Sequence, residues 1–221
     1  MKDLSTFQAP RITKVQIRAE ADSFRAKYNP SGDLPIDIQA IIEFDLNIRI
    51  RTVPGLQESC DIDALLLGDN RTIAVDHKMY MDERFANRLR FSLAHEVGHK
   101  VLHPGLYGQV DHASVEEWIQ SFQSIPEDQY SWIEQHAYEF AGRLLVPVDR
   151  LKKELAQAVS RAKTAGFTSW DKSGDAALSY IAGSISRTFG VSSQVIEKRV
   201  RSESLWPPAT TSHAAKPPAK P

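Results

Sequence analysis

The chain has 221 residues, 42% of them apolar, and a formal net charge of −1. That is enough apolar material for a core, and a balance that gives no global attraction to nucleic acid or to an acidic membrane. The lone cysteine, Cys60, excludes an internal disulfide and a CxxC metal knuckle.

No apolar run approaches the ~20 residues that span a bilayer. Met1 to Thr6 lack the apolar core of a signal peptide. A soluble, cytoplasmic protein is expected.

Pro10 to Tyr28 predicts a helix, with Ile12, Val15, Ile17, Ala19 and Phe24 at helical spacing. Asn29-Pro30-Ser31-Gly32-Asp33 breaks it, and a short helix follows through Ile36, Ile38, Ile41 and Ile42. Asn47 to Val53 alternates as a half-buried strand does. Ala64 to Leu67 and Thr72 to Val75, separated by Gly68-Asp69-Asn70, predict a hairpin. Arg84 to His103 carries Phe91, Leu93, Ala94, Val97, Val101 and Leu102 at helical spacing and ends at Pro104-Gly105. Residues 105–130 read as a long loop with one short helix near Glu116 to Phe122, and Trp132 to Val146 as a second strong helix closed by Pro147. Three helical pieces follow, near 149–164, 175–189 and 192–203. Pro207 to Pro221 holds five prolines and reads as a disordered tail. The expected division is 1–148, 149–206 and that tail, 207–221.

The chemistry sits in His95-Glu96-Val97-Gly98-His99. Two histidines four apart on a helix share one face, so both imidazoles can hold one cation. Zinc is the default metal for imidazoles at an open catalytic site. Glu96, adjacent to the first ligand, stands where a general base takes a proton from water activated by the metal. Gly98 leaves room for close approach to the helix. The helix is otherwise apolar, and buried imidazoles need a partner that a metal supplies.

A catalytic zinc takes a third protein ligand. His103, eight residues beyond His95, lies ~12 Å along a straight helix from it and reads as a helix-end histidine. His112 falls in the predicted loop. Glu134 lies near the start of the next strong helix and is preferred. His136, facing away from Glu134 on a helix, is the fallback. Tyr138, His136 and His112 are the candidates for supporting a ligand or stabilising the oxyanion.

Asn87-Arg88-Leu89-Arg90-Phe91-Ser92-Leu93-Ala94-His95-Glu96-Val97-Gly98-His99-Lys100-Val101-Leu102-His103 resembles the "nR.RFTlAHElGH..LH" block of the ImmA/IrrE metallopeptidases. Ile133 to Pro147 resembles that family's "E..AN.FA..LLMP" block, and the Asp63 to Leu67 and Phe189 to Ser192 segments fall where the family has them. Tyr138 stands where the family usually has Asn, Val146 where it usually has Met, and the stretch between His99 and Glu134 is longer than usual. The resemblance implies an α+β, zincin-like fold with a small mixed or antiparallel sheet, an HExxH helix and a helical, helix-turn-helix-like subdomain. It implies His95, His99 and Glu134 as zinc ligands and Glu96 as the catalytic residue, a gluzincin-like arrangement. It also implies a helix-turn-helix repressor as substrate, cleaved to control stress or mobile-element genes.

In zincins a strand edge near the metal pairs with the substrate; Arg71 to Asp76 or its hairpin partner is the expected edge. A second reading, from a different class, is a zinc-sensing DNA-binding regulator. Residues 176–203 spell helix, Gly190-Val191-Ser192 turn, helix, and Arg187, Lys198, Arg199 and Arg201 outnumber Glu197 there. Ser192 as an ordinary helix cap explains the same residues without DNA, so direct nucleic-acid binding is the lesser expectation.

Overall fold

The computed structural model describes residues 3–107, 114–167 and 170–207. The predicted loop residue His112 and residues 208–221 of the predicted tail lie outside the described residues.

Helix α1 (Lys14–Tyr28) starts at a capping box, in which Thr13 and Gln16 satisfy each other's backbone N–H groups. Its buried face is Ile17, Ala21 and Phe24, whereas Val15 points to solvent. The short predicted helix is α2 (Ile38–Ala40), continued by a π-turn, Ile41–Asp45. β1 (Arg49–Val53), β2 (Ala64–Leu66) and β3 (Thr72–Asp76) form a three-stranded sheet in the order β1-β3-β2. β2 and β3 are the expected antiparallel hairpin, while β1 runs parallel to β3. A parallel pair needs a crossover, and α3 (Leu56–Cys60), unforeseen in the sequence, lies on it.

β3 is buried along its whole length, which is why its apolar run does not alternate. Asp76 ends it and caps α4 (His77–Met81), a second helix not foreseen. The HExxH helix is α5 (Ala86–Leu102), which packs on β2. α6 (Val115–Gln123) begins at Ser114, whose hydroxyl accepts from Glu117 N. α7 (Glu127–Leu145) starts earlier than the apolar pattern indicates, because Pro126 with Glu127 and Asp128 makes a favourable first turn. α8 (Val148–Thr164), α9 (Trp170–Phe189, kinked at Gly174) and α10 (Ser193–Ser202) complete the chain. One apolar cluster runs from Leu4 to Val200, so the core is continuous across position 148. Among the described residues, no helix is long and apolar enough to cross a membrane.

α5 and α7 cross at the motif itself. A Cβ on Gly98 would lie 3.1 Å from Ala137 Cα and 3.2 Å from Ala137 O. Glycine there lets the two backbones approach closely, where a Cβ would push them apart by a few tenths of an ångström, and Glu134, one turn before Ala137, faces the histidines.

Candidate metal centre

His95 and His99 sit one turn apart on α5, and Glu134 faces them from α7. His95 Nε2 lies 3.0 Å from His99 Nε2. The Glu134 carboxylate reaches both, at 3.1 Å from His95 Nε2 and 3.2 Å from His99 Nε2. Atoms bound tetrahedrally at about 2.0–2.1 Å from zinc are separated by roughly 3.3 Å, so this spacing fits three corners around one ion. The charge balance fits as well. Burial works to raise the Glu134 carboxyl, but His95 and His99 outweigh it and hold the group well below the usual carboxylate range. Burial works to lower His95, and the carboxylates of Glu134 and Glu96 raise it on balance. The cluster draws positive charge to its centre.

Glu96 is 5% exposed, and its Oε2 accepts a hydrogen bond from Leu66 N at 2.7 Å. Burial lifts its carboxyl above the ordinary range, against the pull of His99 and His95. A carboxyl shifted upward in this way holds a proton more readily than an exposed one. The other backbone group of Leu66, its carbonyl, accepts from Trp118 Nε1 at 2.8 Å.

These two bonds bear on the expected substrate edge. β3, Thr72–Asp76, is the central strand and is paired on both sides, so it cannot accept another strand. β2 is the edge, but the outward groups of Leu66 are taken by Glu96 and Trp118. Ala64, two residues back, is the other outward-facing position.

The remaining sequence candidates separate. Tyr138 packs its ring against His95, centroids 5.8 Å apart, and against Phe91, with Lys198 over its face. His136, the fallback ligand, is not in the three-ligand group; its Nδ1 lies 3.3 Å from His103 Nε2. His103 caps the end of α5, as expected, and its Nδ1 touches His99 Nδ1 at 3.2 Å. Burial, then the charges of His99 and His136, pull His103 down to about 3.

Two phenols were not singled out in the sequence. Tyr107 is buried beside His99, its ring 6.3 Å away, and its hydroxyl has no hydrogen-bond partner among the described residues. Burial, then the carboxylates of Glu96 and Glu134, raise it well above the ordinary value, so it stays a donor. Tyr130, one turn before Glu134, is pushed up to about 12 by burial and then by Glu134 and Glu96. Nothing in local spacing marks either phenol.

The cleft over these groups encloses about 1160 Å³, above the ~300–1,000 Å³ of pockets for drug-sized molecules. Ser192, Gln194 and Val195, from the turn and helix read as helix-turn-helix-like, line it. Two of the four cations of that segment are held in ion pairs. Arg199 is 3% exposed and bonded to Glu139 and Glu203, and Arg201 pairs with Asp175. Gly190 makes the turn at φ +60, where a Cβ would strike Arg90 and Pro35.

The family model Peptidase_M78, described as the IrrE N-terminal-like domain, matches residues 79–201, which span α5 and α7 and reach α10. No curated protein matches the chain.

Proposed function

The chain belongs to the Peptidase_M78 family, and from that premise we propose that it is a zinc-dependent endopeptidase whose substrate is a DNA-binding, helix-turn-helix repressor. The observation that carries the reading is the convergence of His95, His99 and Glu134 beside Glu96 in a cleft of peptide size. Zinc held by those three residues would supply a Lewis acid that makes water nucleophilic at neutral pH.

The chain's own groups account for the rest. Glu96 takes the proton from the attacking water and passes it to the leaving amine. The Leu66 N–H holds one carboxylate oxygen, leaving the other for that transfer. Tyr107, a buried donor with no acceptor among the described residues, hydrogen-bonds the carbonyl oxygen as negative charge develops on it. The peptide lies along the β2 edge, with Ala64 as the pairing position. The resemblance to the ImmA/IrrE block supports the repressor, and with it control of stress or mobile-element genes in the cytoplasm.

The test compares new protein N-termini in host cells making the wild type or Glu96→Gln. A glutamine still accepts from Leu66 N–H but cannot take a proton, so zinc is retained and cleavage falls about 10²–10⁴-fold. A cut in a repressor found only with the wild type supports the reading; identical N-termini in both cultures contradict it.

A further inference from the structure

Two buried histidines take no part in the scheme above. His103 is 1% exposed and His136 is 5% exposed. They join His99 in an unbroken chain. His99 Nδ1 meets His103 Nδ1 at 3.2 Å, and His103 Nε2 meets His136 Nδ1 at 3.3 Å. The His103 and His136 rings lie nearly parallel, at 20°, with centroids 5.5 Å apart.

Each of these contacts requires one N–H and one bare nitrogen. The nitrogen of His99 that faces His95 and Glu134 is Nε2. As a ligand atom it carries no proton, so the proton of His99 is on Nδ1. His103 Nδ1 is therefore the acceptor, and a neutral His103 bears its proton on Nε2. That N–H donates to His136 Nδ1, which leaves the proton of His136 on its own Nε2. Choosing the ligand atom at one end sets the tautomer of every ring along the chain.

We propose that His103 is a positioning residue for the metal centre: it accepts the His99 Nδ1–H and so holds the His99 ring with Nε2 turned to His95 and Glu134, while His136 fixes the tautomer in which His103 can do this. The proposal rests on the metallopeptidase reading. It gives α5 two uses of one spacing, since His95, His99 and His103 follow one another at i, i+4 and i+8. The first pair converges on the ion, and the second pair orients the first. A metal-bound imidazole commonly donates to a carboxylate or a backbone carbonyl. A neutral imidazole in that place fixes the ring without adding negative charge near the ion.

The experiment uses the full chain. Zinc affinity is measured by competition with a chromophoric chelator for the wild type, His103→Phe and His103→Gln. Ring tautomers are read by long-range 15N–1H correlation on histidine-labelled, zinc-loaded wild type. The expected tautomers are protons on Nδ1 of His99 and on Nε2 of His103 and His136. His103→Phe keeps a ring in the core but removes the acceptor, and should weaken zinc binding about 10–100-fold. His103→Gln restores an acceptor and a donor and should recover most of that loss, which a purely packing role would not predict. Folded His103→Phe with wild-type zinc affinity would overturn the proposal. So would a proton on Nδ1 of His103 in the wild type, a result that stands even if the variant does not fold. A wild type that binds no zinc would overturn the functional reading and this proposal with it.

Discussion

Helix α7 carries a carboxylate on each of two faces, and the two surroundings differ. On one side Glu139 meets Arg18 and Arg199, and the network continues through Glu203, Arg143 and Asp22, tying α1, α7 and α10 together. Guanidiniums and carboxylates answer one another there; among the described residues only Arg199 Nε lacks a partner. On the other side Glu134 meets two imidazoles whose nitrogens face each other, and the Tyr107 hydroxyl has no hydrogen-bond partner among the described residues. The same helix therefore holds one polar cluster in which guanidiniums and carboxylates pair with each other and one whose imidazoles and carboxylate could hold a metal ion. Buried charge alone does not mark a functional site; the kind of groups gathered around it does.

The sharpest way to break this contrast is Glu134→Gln. Zinc affinity should fall by more than the ~10–100-fold typical of an outer supporting group, and cleavage should cease. Chelator competition on the folded variant checks it, and undiminished affinity would remove Glu134 from the ligand set. Tyr107→Phe comes next. Loss of one oxyanion donor lowers kcat about 10²–10³-fold, with KM little changed; a fall in KM-related binding alone would make Tyr107 a packing residue. The opposite face should answer differently. Arg199→Met removes a buried cation and should cost about 3 kcal/mol of stability, seen as a lower denaturation midpoint, while zinc affinity stays that of the wild type. If zinc binding falls with stability, the two faces are coupled and the contrast is wrong. The smallest effect is expected of Thr13→Ala, which opens the capping box of the helix bearing Arg18 and Asp22 and should cost about 1 kcal/mol without altering kcat.

Much of the candidate metal centre was legible because it is local. His95, Glu96 and His99 lie within one helical turn and announce their geometry by spacing alone. Glu134 belongs to another helix, and reading it needed the expectation that a third ligand arrives from the next strong helix. Leu66 and Trp118 escaped notice for a physical reason: the Glu96 contact uses a backbone N–H, which every residue but proline has, so no side chain advertises it. Tyr107 acquires its meaning only through burial. The i, i+4 relation between His99 and His103 is visible in the sequence, but the contact of their Nδ1 atoms depends on ring orientations that spacing does not set. In the fold, the long helices and the hairpin were readable from periodicity. α3 and α4 are single turns of chain, too short to show a period, and the parallel pairing of β1 with β3 is a long-range choice that local pattern does not encode.

Leu66 has a mechanical consequence. Its peptide groups are clasped by Glu96 from one side and by Trp118 from another, on the strand that borders the cleft. The Glu96 carboxylate is therefore tied to the sheet as well as to its own helix, and not to the three groups that could hold a metal ion. On the proposed reading, a displacement of β2 reaches the base directly through this one bond. The strand proposed to receive the peptide is thus also the strand that holds the proposed base, so the seating of one bears on the placement of the other.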